Sequence, residues 1–357
     1  MLIKMYNEMK KYGLFFLAAL ALVSCGGGQQ STESEAVAES EFPGLLAKAQ
    51  VFFGELPKTA PNEANLSSEA KILLGYTLYF DNRLSMEGNI SCNSCHDLAT
   101  YGVDNLPTSP GDDGTLGGRN SPTVLNAALH ISQFWDGREP DVEAQAGGPI
   151  LNPVEMAMPD EATVMNRLKG IDGYKDLFTN AYPGEDDPYT YQNLKNAIGV
   201  FERELLTPSR FDKYVAGDES ALTSAEQKGL QTFVDQACIT CHMGNLLGGS
   251  MYQKLGLYGN YSEMTGAKVD DLGKFEVTKN DNDKYMFKVP SLRNIEKTGP
   301  YFHDGGVESL LESVKLMGKL QLNKDITDEQ AAEIVTFLNS LTGEVPEKYQ
   351  TAPAMPM

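Results

Sequence analysis

The sequence predicts a mainly α-helical protein with two domains, and three observations lead to this prediction. Apolar residues at helical spacing follow capping residues at several places, whereas the alternating pattern of β-strands is scarce. The 357 residues exceed what a single core of ordinary size accommodates. A block of residues also occurs twice, each time after a similar cysteine motif, which indicates a duplicated module.

Helices are predicted before each cysteine motif and near the C-terminus. The first is capped by Ser67 or Ser68, and capping boxes begin the others at Thr223 and Thr327. The last of these helices is expected to stop near Gly343. The predicted segments are an N-terminal domain at 46–208, a C-terminal domain at 209–345 and a C-terminal tail at 346–357.

The first residues are typical of an export signal. Three lysines precede an apolar run at 14–23, in the order that secretory signals have. The run ends at Cys25 in the sequence LVSC, which resembles a bacterial lipobox, where the cysteine becomes the acylated first residue. A transmembrane anchor is the alternative, but the run is short for a membrane span. We therefore expect a lipoprotein signal peptide at 1–24, a flexible tether at 25–45, and attachment to the membrane by lipid only.

The sequence is strongly acidic, with a formal net charge of −20. Removal of the predicted signal peptide takes away three lysines and one glutamate, which leaves 26 basic and 48 acidic residues and a charge of −22. Such a charge argues against nucleic acid as a partner. It acts either as a solubilising surface or as an attraction for a redox partner with a basic face.

Apart from Cys25, the cysteines fall into two Cys-x-x-Cys-His motifs, at 92–96 and 238–242. Paired cysteines of an exported protein could form disulfides, hold zinc or exchange thiols. The histidine after each second cysteine favours haem c instead, because two thioethers fix the porphyrin and the adjacent imidazole can bind the iron. The predicted haem-binding residues of the motifs are Cys92, Cys95, His96, Cys238, Cys241 and His242. Both domains are therefore expected to be cytochrome c-like, each with one covalently bound haem.

The repeated block follows each haem motif at a similar distance. PTVLN at 122–126 and FWDG at 134–137 follow the first motif, and PSLRN at 290–294 and FHDG at 302–305 follow the second. The interval from the proline to the aspartate is fourteen residues in both copies. This shared spacing indicates one cytochrome module in each domain.

With these motifs, the chain resembles the bacterial di-haem cytochrome c peroxidase family over about residues 45–345. The blocks that carry the resemblance are GVD at 102–104, RNSPTVLN at 119–126, QFWDGR at 133–138, NPVEM at 152–156, GPYFHDG at 299–305 and MG at 317–318. The resemblance implies an exported peroxidase that reduces hydrogen peroxide with electrons from a small cytochrome c or cupredoxin. A homodimer is also expected from the resemblance.

The resemblance assigns different tasks to the two haems. The N-terminal haem, with His96 as ligand, would be the peroxide site, where Glu155 acts as the acid/base and Gln145 orients the peroxide. The C-terminal haem, with His242 and Met317 as ligands, would receive electrons, because a thioether ligand raises the reduction potential.

Four further assignments follow from the resemblance. Trp135, the single tryptophan, would lie between the haems, although a lone tryptophan also commonly anchors a core. His303 would be a hydrogen-bonding residue near the C-terminal haem. A calcium ion would lie between the domains, held by oxygen ligands. Its protein ligands would be Asn120, Thr298 and Pro300.

The sequence departs from the family at Asp112. Many members have a histidine at this position, which caps the peroxide haem until the other haem is reduced. With Asp112 there, we expect the N-terminal haem to be open in the oxidised protein. Two alternative functions remain at this point. One is a di-haem oxidase of the type that matures methylamine dehydrogenase, whose members have a tyrosine where Met317 stands, and the other is a di-haem electron carrier without enzymatic activity.

Overall fold

Helices dominate the structure, a computed structural model that describes residues 41–267 and 269–357. The helices are α1 (Leu45–Phe52), α2 (Glu69–Tyr79), α3 (Cys92–Cys95), α4 (Val142–Leu151), α5 (Glu161–Lys169), α6 (Gly173–Ala181), α7 (Tyr191–Glu202), α8 (Arg210–Val215), α9 (Ser224–Asp235), α10 (Tyr261–Thr265), α11 (Phe275–Thr278), α12 (Leu310–Leu322) and α13 (Asp328–Asn339). Within the described ranges, the strands β1 (Tyr252–Lys254) and β2 (Met286–Lys288) form the sole sheet, an antiparallel pair with Gln253 opposite Phe287. The predicted mainly α fold is confirmed.

The predicted helix starts are confirmed by their hydrogen bonds. The Ser68 side chain accepts from the third amide of α2, and Thr223 and Thr327 form capping boxes at the starts of α9 and α13. Helix α13 ends at Asn339, before the predicted stop. Beyond the helix, the chain is held by the second repeat, since the Gly343 N–H donates to Asn294 Oδ1 at 2.9 Å.

Two clusters of buried side chains form the main cores. The first joins α2, α4, α5, α6 and α7, and the second joins α8, α9 and α13. Each fully buried Leu or Phe side chain stabilises the fold by about 1.5–3 kcal/mol. Helix α1, which lies in the predicted N-terminal domain, packs in the second cluster through Leu45, Ala49 and Phe53.

The C-terminal segment of the chain packs against helices of the N-terminal half. Tyr349 is buried, and its ring lies 5.2 Å from the ring of Tyr76 and 5.0 Å from that of Phe201. The predicted tail therefore packs on helices α2 and α7. The domain boundaries stay a prediction. Helix α1, near the start of the described chain, packs against helices of the C-terminal half, and the tail packs against helices of the N-terminal half.

The two repeats adopt matching backbone conformations. Asn126 and Asn294 end the repeated PxxxN blocks with left-handed φ values of 62° and 59°. Both side chains donate to one hydroxyl, Thr207 Oγ1, at 2.8 Å. Asparagine tolerates this backbone region better than most residues, which explains its presence in both blocks.

The repeats also exchange main-chain hydrogen bonds. The Asn120 N–H donates to the His303 carbonyl at 2.8 Å, and the Lys288 N–H donates to the Trp135 carbonyl at 2.9 Å. Asn120 and Lys288 stand two residues before the proline of their respective blocks. This reciprocal pairing joins the two repeats to each other.

The predicted signal peptide, the lipidation site Cys25 and most of the predicted tether lie outside the described residues. Leu45, the last residue of the predicted tether, is buried and begins α1. In the described part of the chain, we find no helix with both the length and the apolar character needed to cross a bilayer.

Candidate functional site

Two large cavities lie beside the two haem motifs. The N-terminal cavity has a volume of about 350 Å³, and the C-terminal cavity about 240 Å³. The motif residues on the wall of the first are Cys92, Cys95 and His96, and those on the wall of the second are Cys238, Cys241 and His242. The four cysteines are free thiols. Each cavity therefore offers two thiols and an imidazole on one wall, as covalent attachment of haem c requires.

The motif histidines are suited to bind iron. Desolvation lowers the pKa of both His96 and His242, which keeps the imidazoles neutral. His242 Nδ1 lies 3.0 Å from the Leu247 carbonyl, which can only accept a hydrogen bond, so Nδ1 carries the proton and Nε2 is left as the ligand atom. The main chain at His96 is held by the Tyr79 hydroxyl, which donates to its carbonyl at 2.6 Å.

The predicted acid/base residue and the predicted amide residue both line the N-terminal cavity. Gln145 lies on α4, and Glu155 follows the end of that helix. Asn152, the C-cap of α4, donates through Nδ2 to Glu155 Oε1 at 2.8 Å. The structure thus brings Gln145 and Glu155 to the cavity of His96, and it leaves Glu155 Oε2 without a partner among the described residues.

The electrostatic setting of Glu155 favours proton exchange. Burial raises the pKa of this carboxyl, while Arg138 and the hydrogen bond from Asn152 oppose the rise. Arg138 also lines the cavity and pairs with Asp136 at 3.1 Å. A raised pKa brings a carboxyl closer to the range in which it can both accept and return a proton.

The C-terminal cavity contains the predicted ligand Met317, which lies on α12, together with His242. His303 lines the same cavity, 6 % exposed, with its ring stacked on Phe287 at 4.5 Å. Nδ1 of His303 has no hydrogen-bond partner among the described residues. A polar group of a haem held in this cavity would provide the partner that this nitrogen lacks.

Trp135 lies on the wall that the two cavities share. Its indole N–H donates to the Asn120 carbonyl at 2.9 Å, which fixes the ring in this wall. The single tryptophan therefore lines both cavities, and its role between the haems stays a prediction.

The predicted calcium ligands all line the C-terminal cavity. They are Asn120, Thr298 and Pro300. The Asn120 amide donates to the Leu106 carbonyl at 3.0 Å. Over residues 41–267 and 269–357, no group of three or more His, Cys, Asp or Glu side chains is arranged to hold a metal ion.

Two buried ionisable residues of the cavity walls were not predicted from the sequence. Lys288 lies in the C-terminal cavity wall, 3.0 Å from His130 Nδ1, and burial lowers its pKa to about 7. Glu202 lies at the end of α7 in the N-terminal cavity wall, where burial raises its pKa to about 8. The place of Lys288 two residues before the repeated proline was an available signal, whereas nothing in the sequence around Glu202 marked it.

Comparisons with known proteins agree with this geometry. Residues 69–220 match the family model described as di-haem cytochrome c peroxidase. The chain is 44 % identical to a cytochrome c551 peroxidase of Nitrosomonas europaea over 77 % of this chain and 80 % of the relative. It is 43 % identical to a cytochrome c551 peroxidase of Pseudomonas aeruginosa over 80 % of this chain and 83 % of the relative.

A solved structure is also similar. It is the crystal structure of a MauG-like protein associated with microbial copper homeostasis, with a TM-score of 0.73 and 27 % identity. The similarity covers 84 % of this chain and 97 % of that protein. The shared fold therefore extends over most of both chains.

Proposed function

The chain belongs to the di-haem cytochrome c peroxidase family, and on that premise we propose that it reduces hydrogen peroxide to water with electrons from a small cytochrome c or cupredoxin. It is a peroxidase, an oxidoreductase that uses peroxide as the electron acceptor. One observation carries the assignment of the peroxide site. Glu155 and Gln145 line the cavity of the first haem motif, while Met317 lines the cavity of the second.

Haem, when bound, would receive the donor's electrons in the C-terminal cavity and supply the iron at which the O–O bond breaks in the N-terminal cavity. Reduction of one peroxide consumes two electrons and two protons and yields two water molecules. Glu155 Oε2 is the atom available to take the proton from one peroxide oxygen and return it to the leaving oxygen, because Asn152 occupies Oε1. The Gln145 amide orients the peroxide, and the Trp135 ring fills the path between the cavities.

The N-terminal cavity is expected to be open before any reduction. Apart from His96, no histidine among the described residues lines this cavity, and Asp112 does not line it either. His130 and His303 both line the C-terminal cavity. Among the described residues, this wall therefore offers no second histidine to ligate the iron in a bis-histidine resting state.

The fully oxidised, haem-loaded protein is accordingly expected to react with peroxide without reductive priming. Stopped-flow absorbance of the oxidised protein mixed with peroxide, followed by turnover with a reduced small cytochrome, measures this. Electron paramagnetic resonance should show a high-spin signal from one haem. Two low-spin haems and activity only after reduction would contradict the open site, and absence of activity in both states would favour an electron carrier.

Replacing Met317 with Leu is expected to lower the midpoint potential of the C-terminal haem, because a thioether ligand stabilises ferrous iron. Leu preserves the size and apolar character of the side chain on α12. The matched control is Met243→Leu, since Met243 follows His242 directly but is 41 % exposed. Spectroelectrochemical titration decides the assignment, and an unchanged potential in the Met317 variant would remove Met317 as a ligand.

The alternative of a di-haem oxidase that acts on protein tryptophans is disfavoured by the methionine at 317, where those relatives have tyrosine. Assay of both activities on the same preparation separates the two functions. We further propose a periplasmic location with a lipid anchor at Cys25, a homodimer, and calcium bound by Asn120, Thr298 and Pro300. The calcium proposal rests on the family resemblance, and all three residues line the C-terminal cavity.

A further inference from the structure

The Asp112 carboxylate is buried and accepts hydrogen bonds from three donors. It is 6 % exposed and lies in the loop 109–117. Its Oδ1 accepts from Ser85 Oγ at 2.8 Å and from the Asn89 N–H at 3.1 Å, and its Oδ2 accepts from the Glu87 N–H. Every one of these donors comes from the segment 85–89. The carboxylate therefore ties two loops of the N-terminal half together.

The main chain of Asp112 continues this connection to the proposed acid/base. The Asp112 N–H donates to the Glu155 carbonyl at 2.7 Å. The preceding Gly111 packs so closely on the same segment that a Cβ at this position would lie 2.4 Å from the Val154 carbonyl oxygen. In addition, the Met86 N–H donates to the Met156 carbonyl at 2.8 Å.

We propose that Asp112 is a positioning residue, which locks the loop 109–117 to the segment 85–89 and thereby holds Glu155 in place at the N-terminal cavity. The inference rests on the proposed role of Glu155. Pro110, Gly111 and Gly117 of this loop line the cavity, whereas the Asp112 carboxylate faces away from it. The lock also keeps the loop from moving over the cavity, which accords with an open resting site.

The contacts favour an ionised acid, because each carboxyl oxygen accepts from a main-chain N–H. A carboxylate offers only acceptors, and all three partners present donors. Although burial opposes it, the hydrogen bonds from Glu87, Ser85 and Asn89 hold the pKa of Asp112 below its ordinary value. An asparagine has the same shape, but it must direct its NH₂ group at one or more of these donors.

The test compares Asp112→Asn with Asp113→Asn in the haem-loaded protein. Asp113 is the matched control, because it is exposed and its Oδ1 accepts only within its own turn, from the Thr115 N–H at 2.8 Å. Hydrogen exchange at the amides of Glu87, Asn89 and Asp112 should accelerate about tenfold or more in the first variant, because local opening becomes easier. The control should exchange as the unaltered protein does.

Peroxide turnover provides the second readout. A displaced acid/base is expected to lower kcat by about 10- to 100-fold with a smaller change in KM. The acid limb of the pH profile should also move to lower pH, because a loosened Glu155 is less buried and burial is what raises its pKa. The control should alter neither kcat nor the position of the limb.

The outcomes separate this inference from the proposed function. Faster exchange and a shifted pH profile support the lock, whereas exchange and kcat equal to those of the control overturn it. If the unaltered protein is inert to peroxide, the proposed function fails, but the exchange experiment still decides whether Asp112 locks the loops. Should Asp112→Asn not fold, Ser85→Ala removes one donor only, and an exchange rate unchanged by that substitution overturns the inference.

Discussion

Replacing Glu155 with Gln is expected to lower peroxide turnover by about 10²- to 10⁴-fold, the usual contribution of a positioned acid/base. Gln preserves the size of the side chain and an oxygen that can accept from Asn152 Nδ2, so the cavity wall is retained. It cannot accept and return a proton. Steady-state turnover with a reduced small cytochrome measures kcat, and absorbance spectra check that both haems are attached.

The pH dependence identifies the same group. Glu155 must be ionised to accept the first proton, so activity should fall as the pH drops through its pKa. Because burial raises that pKa, the acid limb should lie above the range of an ordinary glutamate. The matched control is Glu161→Gln on α5, an exposed glutamate outside the cavity lining. Equal losses in both variants, or an unchanged acid limb in Glu155→Gln, would contradict the assignment.

Replacing Arg293 with Met is expected to destabilise the protein by about 3–5 kcal/mol, because it leaves a buried carboxylate without its counter-ion. The Arg293 side chain is 0 % exposed and donates to both oxygens of Asp212, at 2.8 and 2.7 Å. Its Nε donates to the Asn245 carbonyl at 2.6 Å, within the turn whose Leu247 carbonyl orients His242. Unfolding in urea, monitored by far-ultraviolet circular dichroism, measures the loss.

The control for this prediction is Arg210→Met. Arg210 also pairs with a carboxylate, that of Glu226, but its side chain is 50 % exposed. Water screens such a pair, so its loss should cost about 0–1 kcal/mol. Similar losses of unfolding free energy in the two variants would show that burial does not increase the contribution of the Arg293–Asp212 pair to stability. Met also fills the apolar part of the space left by arginine, which limits any effect of a cavity.

Several features of this protein were determined by the sequence alone. The capping boxes at Thr223 and Thr327 formed as predicted, because their hydrogen bonds join residues only three positions apart. The haem motifs placed cysteines and a histidine on one cavity wall for the same local reason. The repeated asparagines were visible in the sequence as part of the duplicated block, and the structure adds the left-handed backbone that explains their presence.

Residue roles within the site depended on the family resemblance. Apart from the family block NPVEM at 152–156, no charge pattern or periodicity distinguishes Glu155 or Gln145 from an ordinary surface residue. The tertiary structure then brought both to the cavity of His96 and placed Asn152 beside Glu155. This arrangement required the turn after α4 to meet loop 109–117, which is distant in the sequence.

Only the tertiary structure decided the surroundings of Asp112, Lys288 and Glu202, and the crossing of α1 to the second core. Whether a charged side chain is exposed, paired or buried depends on groups that other segments supply, such as the donors at 85–89 for Asp112. Lys288 meets His130, which precedes it by 158 residues. Local sequence contains periodicity and capping, but burial and charge pairing arise between distant segments, and these set the pKa of each ionisable group.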